Sequence, residues 1–130
     1  MNILITGVTG FIGKFLASQL LREGHDVYGL DNFYNSSIED LIPGVNFHKC
    51  DISNESWIDY FSNCNIDCII HLAAQSSGEV SFLDPIYDVN TNVVGTINVA
   101  EYARINKVDR VIFASSMSVY GETQGLVSEE

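Results

Sequence analysis

Three glycines and one aspartate carry the chemistry most legible in this chain. Gly7, Gly10 and Gly13 stand in the run Thr6-Gly7-Val8-Thr9-Gly10-Phe11-Ile12-Gly13, directly after the short apolar segment Asn2 to Thr6. Glycine at the first position permits a tight turn. At the second it lets backbone approach a ligand, and at the third it lets helix and strand pack closely. With a helix opening at Phe11, the free N–H groups of its first turn, those of Phe11 and Ile12 among them, face an anion on the loop. Asp31 follows Gly7 by 24 residues and ends a second apolar segment, Asp26 to Leu30. A carboxylate at that point accepts both hydroxyls of an adenosine ribose and repels a 2′-phosphate. No Arg or Lys lies between Asp31 and Ser36 to neutralise such a phosphate. The pattern points to a dinucleotide site that favours NAD over NADP.

The elements that must position these residues follow from apolar patterning. Short apolar runs alternate with longer periodic segments, the signature of βαβ units and a parallel sheet. Strands are predicted at Asn2 to Thr6, Asp26 to Leu30, Val45 to Cys50, Asp67 to Leu72 and Arg110 to Ala114. A helix is predicted from Phe11 to Glu23, with Ile12, Phe15, Leu16 and Leu20 on its inner face and Gly24 as a left-handed C-cap. Asn32 to Pro43 reads as a loop with one helical turn. Ser53 to Asn63 reads as a helix with only half a capping box. Asp84-Pro85 is a helix start, Asp as N-cap and Pro at the first helical position. That helix should reach Ile105, with Ile86, Val89, Val93, Ile97 and Ala100 facing inward. Gly95 inside it costs about 1 kcal/mol against Ala, so close packing is its expected compensation. The fold class is therefore α/β, a doubly wound parallel sheet with strand order 3-2-1-4-5. Its ligand site lies at the carboxyl ends of the strands, around the switch between strands 1 and 4.

Composition bounds the partners. The 130 residues suit one domain with a real core, and 46% of them are hydrophobic. The net charge is −11 and the six basic residues are scattered, so neither a nucleic-acid backbone nor an acidic membrane surface finds a cationic footprint. No apolar run approaches the roughly 20 residues of a membrane span. Met1 to Thr6 has no basic lead and runs into the glycine loop, so a cytoplasmic protein without a signal peptide is expected. Cys50, Cys64 and Cys68 complete no metal set and no disulfide framework, and are expected as small buried or half-buried residues.

Six motifs, in order along the whole chain, resemble the extended short-chain dehydrogenase/reductases, specifically the NAD-dependent sugar-nucleotide epimerases and dehydratases. They are Thr6 to Gly13, Leu30-Asp31-Asn32-Phe33-Tyr34-Asn35-Ser36, Cys50-Asp51-Ile52, His71-Leu72-Ala73-Ala74, Asn92-Val93-Val94-Gly95-Thr96, and Ser115-Ser116-Met117-Ser118-Val119-Tyr120-Gly121. The resemblance implies a Rossmann fold and NAD as cofactor. It implies ribose contacts from Asp31, Asn32, Asn35 and Ser36, and adenine contacts from Asp51 and Ile52. Leu72, Ala73 and Ala74 would line the cofactor. Ser116 would hydrogen-bond the sugar hydroxyl being oxidised. Read as residues alone, Asp51 ends a strand where its carboxylate can accept from an exocyclic amine. His71 reads as a hydrogen-bonded core residue. Asn92 is a buried amide that needs partners, whether as support for active-site backbone or as structure alone.

The resemblance also marks what this sequence lacks. The family's base is Tyr in Tyr-x-x-x-Lys, and none of Tyr28, Tyr34, Tyr60, Tyr87, Tyr102 and Tyr120 has Lys four residues on. The expectation is a C-terminally truncated NAD-binding domain over residues 1–130, without its substrate domain and inactive or nearly so by itself. The family's dehydratases carry Asp-Glu after the hydroxyl residue, where this chain has Met117 and Ser118, so epimerisation of a nucleotide sugar is favoured over dehydration. An NAD-dependent reductase and a non-catalytic NAD-sensing module also fit. Strand 5 is expected as an open edge, which predicts a homodimer or higher self-association.

Overall fold

The computed structural model describes residues 1–122 and 125–128. Five strands form one sheet: β1 (Asn2–Thr6), β2 (Asp26–Asp31), β3 (Asn46–Lys49), β4 (Cys68–His71) and β5 (Arg110–Phe113). All are parallel, in the order β3-β2-β1-β4-β5. The register brings Thr6 beside Leu30 on one side and His71 on the other. The ends of β1, β2 and β4 thus share one edge, the switch point that the sequence predicts. Helix α1 (Phe11–Arg22) follows β1. Gly24 ends it at φ +82°, its N–H donating to Leu21 O while that of His25 donates to Leu20 O.

Helix α2 is shorter than expected, Ser56–Phe61. Asp51 and Asn54 turn residues 51–56 through side-chain acceptors for Ser53 N and Ser56 N, which delays the helix. Helix α3 (Gly78–Leu83) has no counterpart in the sequence reading; Ser77 caps it by accepting from Val80 N. Asp84 caps α4 (Pro85–Val89) as expected, accepting from Tyr87 N at 3.0 Å. A π-helical turn at Asn90–Val94 joins α4 to α5 (Gly95–Asn106).

One predicted helix face is half met and another is reversed. On α1 the buried residues are Gly13 and Ala17, with Leu16 and Leu20 half-buried beside them, while Ile12 and Phe15 are exposed. Along α4 and α5, Ile86, Val89, Val93, Ile97 and Ala100 face outward. The inner stripe is Thr91, Gly95, Asn98, Val99, Tyr102 and Ala103. The reason is geometric. Glycine or alanine is needed at the points of closest approach, Gly13, Ala17 and Gly95, and polar residues are tolerated on the inner face once their groups are paired. Asn98 Nδ2 donates to Ile52 O at 2.9 Å, and Tyr102 OH donates to Phe61 O at 2.9 Å. Gly95 is packed as expected: a Cβ there would lie 2.5 Å from Ile52 Cδ1. Apolarity alone therefore selected the outer stripe.

The core has two parts, one on each sheet face. Ile3, Ile5, Val8, Ala17, Val27 and Cys68 pack under α1. Leu4, Leu30, Trp57, Phe61, Ile69, Val99 and Tyr102 pack under α2 and α5. β5 is one edge of the sheet and β3 the other, and all four residues of β5 are exposed. Of the acidic tail, residues 123, 124, 129 and 130 lie outside the described residues, and with them the position four after Tyr120. Among the described residues no helix is long and apolar enough to cross a membrane.

Candidate functional site

The glycine loop is shaped by contacts that exclude side chains. Gly7 has φ +70°, and a Cβ on it would meet Ala73 N at 2.9 Å. A Cβ on Gly13 would lie 2.9 Å from Val8 backbone and closer still to Gly7 O. The loop can therefore run this near to β4 and α1 only with glycine at these positions. Gly10 is the N-cap of α1 and offers no side-chain cap; the first turn carries no acidic residue. The first-turn N–H groups are left pointing out of the helix end, the arrangement that receives an anion.

Asp31, 9% exposed, ties this loop to the next one. Its Oδ2 accepts from Thr9 N at 3.1 Å; its Oδ1 accepts from Phe33 N at 2.9 Å and Ser36 Oγ at 3.3 Å. Because the Ser36 hydroxyl donates to Asp31, the Thr9 hydroxyl 2.7 Å away donates to Ser36. A carboxylate has about four acceptor sites, so Asp31 keeps room for a further donor on the cleft side. Asn32 carries the chain of bonds onward: its Nδ2 donates to Asp51 Oδ2 at 2.7 Å. Asp51 Oδ1 also accepts from Ser53 N and Ser53 Oγ. Burial pushes the Asp51 carboxyl upward in pKa, but these hydrogen bonds outweigh it and hold the group below its ordinary value.

At the end of β4 the polar groups of a buried histidine settle its tautomer. Thr96 Oγ1 donates to Asn92 O at 2.7 Å, so at 3.1 Å it accepts from His71 Nε2. His71 Nδ1 is then the acceptor for the Thr6 hydroxyl at 2.6 Å. Thr6 Oγ1 in turn accepts from Leu72 N and Ala73 N. Burial lowers the His71 pKa, in keeping with a neutral ring held between two threonines. Asn92 clamps the following loop through both its amide atoms, accepting from Gln75 N at 2.9 Å and donating to Gln75 O at 2.8 Å.

These segments enclose one cleft of about 480 Å³, within the usual range of small-molecule sites. Gly7, Gly10, Phe11, Ile12, Gly13, Asp31, Asn32, Asn35, Ser36, Ile52, Leu72, Ala73 and Ala74 line it together. Asp51 and Asn92 stand behind its wall, one holding Asn32 and the other Gln75. Ser116 is exposed beyond the end of β5, where its Oγ accepts from Ser118 N and donates to Ser118 Oγ. Cys50, Ser76, Tyr87, Thr91 and Ala114 also line the cleft, although the sequence reading assigned them nothing there. Burial pushes the Cys50 thiol up to about 12, so it is a wall residue and no nucleophile. Thr91 Oγ1 is buried with no hydrogen-bond partner in good geometry among the described residues; burial raises the pKa of the nearby Tyr87 phenol and Thr91 works against that rise. A buried hydroxyl left open on a cleft wall is a place for a ligand or water atom. Thr91 was legible only through helical spacing from Gly95, since nothing in its type sets it apart.

Residues 3–130 match the profile of the NAD dependent epimerase/dehydratase family. The chain belongs to that family. Among curated relatives, UDP-glucose 4-epimerase of Mycolicibacterium smegmatis is 41% identical over 127 residues, covering 93% of this chain and 41% of the relative. A putative UDP-glucose 4-epimerase of Methanocaldococcus jannaschii is 36% identical over 98% of this chain and 42% of its own length. The crystal structure of Thermus thermophilus UDP-glucose 4-epimerase in complex with NAD superposes with a TM-score of 0.91 at 34% identity, covering 100% of this chain and 43% of that one. This epimerase/dehydratase-family chain thus spans about two fifths of the length of the relatives it matches.

Proposed function

We propose that this chain binds NAD and forms the cofactor half of a nucleotide-sugar epimerase. One observation carries the reading: an uncapped helix end on a glycine loop and the buried Asp31 carboxylate face one cleft. The cleft fits the group. Gly7 and Gly13 leave a cradle that a Cβ would fill, and Thr91 offers an open hydroxyl. When bound, NAD supplies a hydride acceptor and donor at its nicotinamide ring. The chain's own residues hold and orient it. N–H groups at Phe11, Ile12 and Gly13 take the diphosphate, with Gly10 giving close approach. Asp31 takes the ribose hydroxyls on a loop shaped by Asn32, Asn35 and Ser36. Ile52 borders the adenine side, with Asp51 as an acceptor beside it. Leu72, Ala73 and Ala74 give a wall with little bulk, and Asn92 supports it through Gln75.

In this reading Ser116 is the hydroxyl that meets the reacting sugar. Met117 and Ser118 supply no acid–base pair for loss of water, which favours oxidation and return over elimination. The names of the relatives support a UDP-sugar as substrate of the whole protein. Cytoplasmic residence and self-association belong to the same proposal, the latter supported by the exposed edge β5. NAD should stabilise the 130-residue chain by RT ln(1 + [NAD]/Kd), about 2.7 kcal/mol at a hundredfold excess over Kd, and so raise its melting temperature. NADP should do so only at far higher concentration. No NAD-dependent shift would contradict the reading, and an ordinary epimerisation rate from this chain alone would contradict the division of labour.

A further inference from the structure

Tyr34 and Tyr87 stack on each other in the wall of the cleft, ring centroids 4.8 Å apart and planes 28° from parallel. They come from separate elements, Tyr34 from the loop after β2 and Tyr87 from α4, and both line the cleft. Neither belongs to the residues assigned above to hold the cofactor.

The stack is built on fixed supports. Tyr34 N donates to Asn32 Oδ1 at 2.9 Å, and Asn32 is itself held by Asp51. The preceding residue, Phe33, has φ +63°, a conformation costly for an aromatic residue. Asp31 holds its N–H, Phe47 stacks on its ring at 5.3 Å, and Lys49 Nζ lies 5.3 Å above the ring. That turn delivers Tyr34 toward α4. On the other side, Asp84 caps the N–H of Tyr87. Tyr34 is 56% exposed as a residue, so hydrophobic burial by itself does not hold it there. Asp31, which the NAD reading places at the adenosine ribose, is three residues before Tyr34, and Asn32, Ile52 and Thr91 line the same cleft. A centroid separation of 4.8 Å admits no third ring between the two tyrosines, because stacked rings already lie near contact at that distance.

We propose that Tyr34 and Tyr87 form a clasp that gates the adenosine end of the cleft. The nucleotide enters and leaves while the stack is open, and the stack closes beside it without inserting the base between the rings. A gate of this kind slows binding and release by the same factor and leaves affinity unchanged. This inference rests on the NAD reading above.

Stopped-flow binding and release of NAD by the 130-residue chain tests it. In Tyr34→Ala both rate constants should rise about fivefold, ~1 kcal/mol at 1.4 kcal/mol per tenfold, with Kd within twofold of the parent. Tyr87→Leu, which removes the partner from the other side, should do the same. Tyr34→Phe keeps the stack and should behave like the parent. Unchanged rates in both Tyr34→Ala and Tyr87→Leu, with parent affinity, would overturn the clasp alone. Weaker binding with an unchanged association rate would also overturn it, because the rings would then touch the bound ligand rather than gate it. Failure of the parent chain to bind NAD would overturn the NAD reading and the clasp with it.

Discussion

The glycine-loop side of the cleft and the β5 end differ in what holds their polar groups. Around β1 and β2, the Asp31 carboxylate joins Thr9, Phe33 and Ser36, so two loops and a helix start are locked to one buried group. Beyond β5, the Ser116 hydroxyl is bonded to Ser118 and its carbonyl accepts from Val119 N, partners within three residues, and every residue of the strand is exposed. The first region adds to local bonds contacts distant in sequence, Thr9 to Asp31 and to Ser36. The second is shaped by a local turn. The chain by itself therefore builds the part of the site proposed to grip a dinucleotide, and leaves the hydroxyl motif with little to define its position.

Substitutions can break that contrast. The largest effect is expected at Gly13→Val, whose Cβ would overlap Gly7 O and Val8 backbone. Overpacking of this kind costs typically 1–3 kcal/mol, and backbone neighbours that cannot yield place it at the upper end. Urea midpoints should fall accordingly, and NAD binding should be lost. Asn92→Ala comes next. It strips Gln75 N and Gln75 O of their partner, at about 1–3 kcal/mol for groups left unsatisfied. Urea denaturation should register this together with faster proteolysis of the loop after β4.

A smaller effect concerns pH. Burial lowers the pKa of His71 in the folded chain, so the unfolded chain binds the proton more readily. The stability from the neutral ring is fully present above the unfolded value of about 6.5 and is lost as pH falls below it toward the folded value, by at most ~1.4 kcal/mol per pH unit. Comparing urea midpoints of the parent and His71→Gln between pH 7.5 and 5 isolates this slope, which the variant should lack. The smallest effect is expected at Ser116→Ala, with NAD affinity within twofold of the parent and less than about 1 kcal/mol of stability lost. A large loss of NAD affinity there would erase the contrast between the two regions.

The sheet and the cleft were legible because they rest on short-range signals. The apolar runs, the glycine spacing and Asp31 each state a local backbone requirement, and strand order followed from the crossover pattern. The helix faces were not. Gly13 and Ala17, or Asn98 and Tyr102, face the sheet because of close approach and paired polar groups, which hydropathy does not encode. Helix α3 escaped notice because its six residues are too few for periodicity. Tyr34 and Tyr87 are 53 positions apart, and only the fold brings their rings together. Asp51 holds Asn32 and Asn92 holds Gln75, partners that sequence spacing cannot name.

Titration calorimetry of the parent chain and Asp31→Ala with NAD and NADP tests the central claim most directly. Asp31 should give the parent a clear preference for NAD, and Asp31→Ala should bind NAD at least tenfold more weakly, ~1.4 kcal/mol or more, with the preference gone. Tighter binding of NADP than NAD by the parent, or an unchanged NAD affinity in Asp31→Ala, would contradict the account.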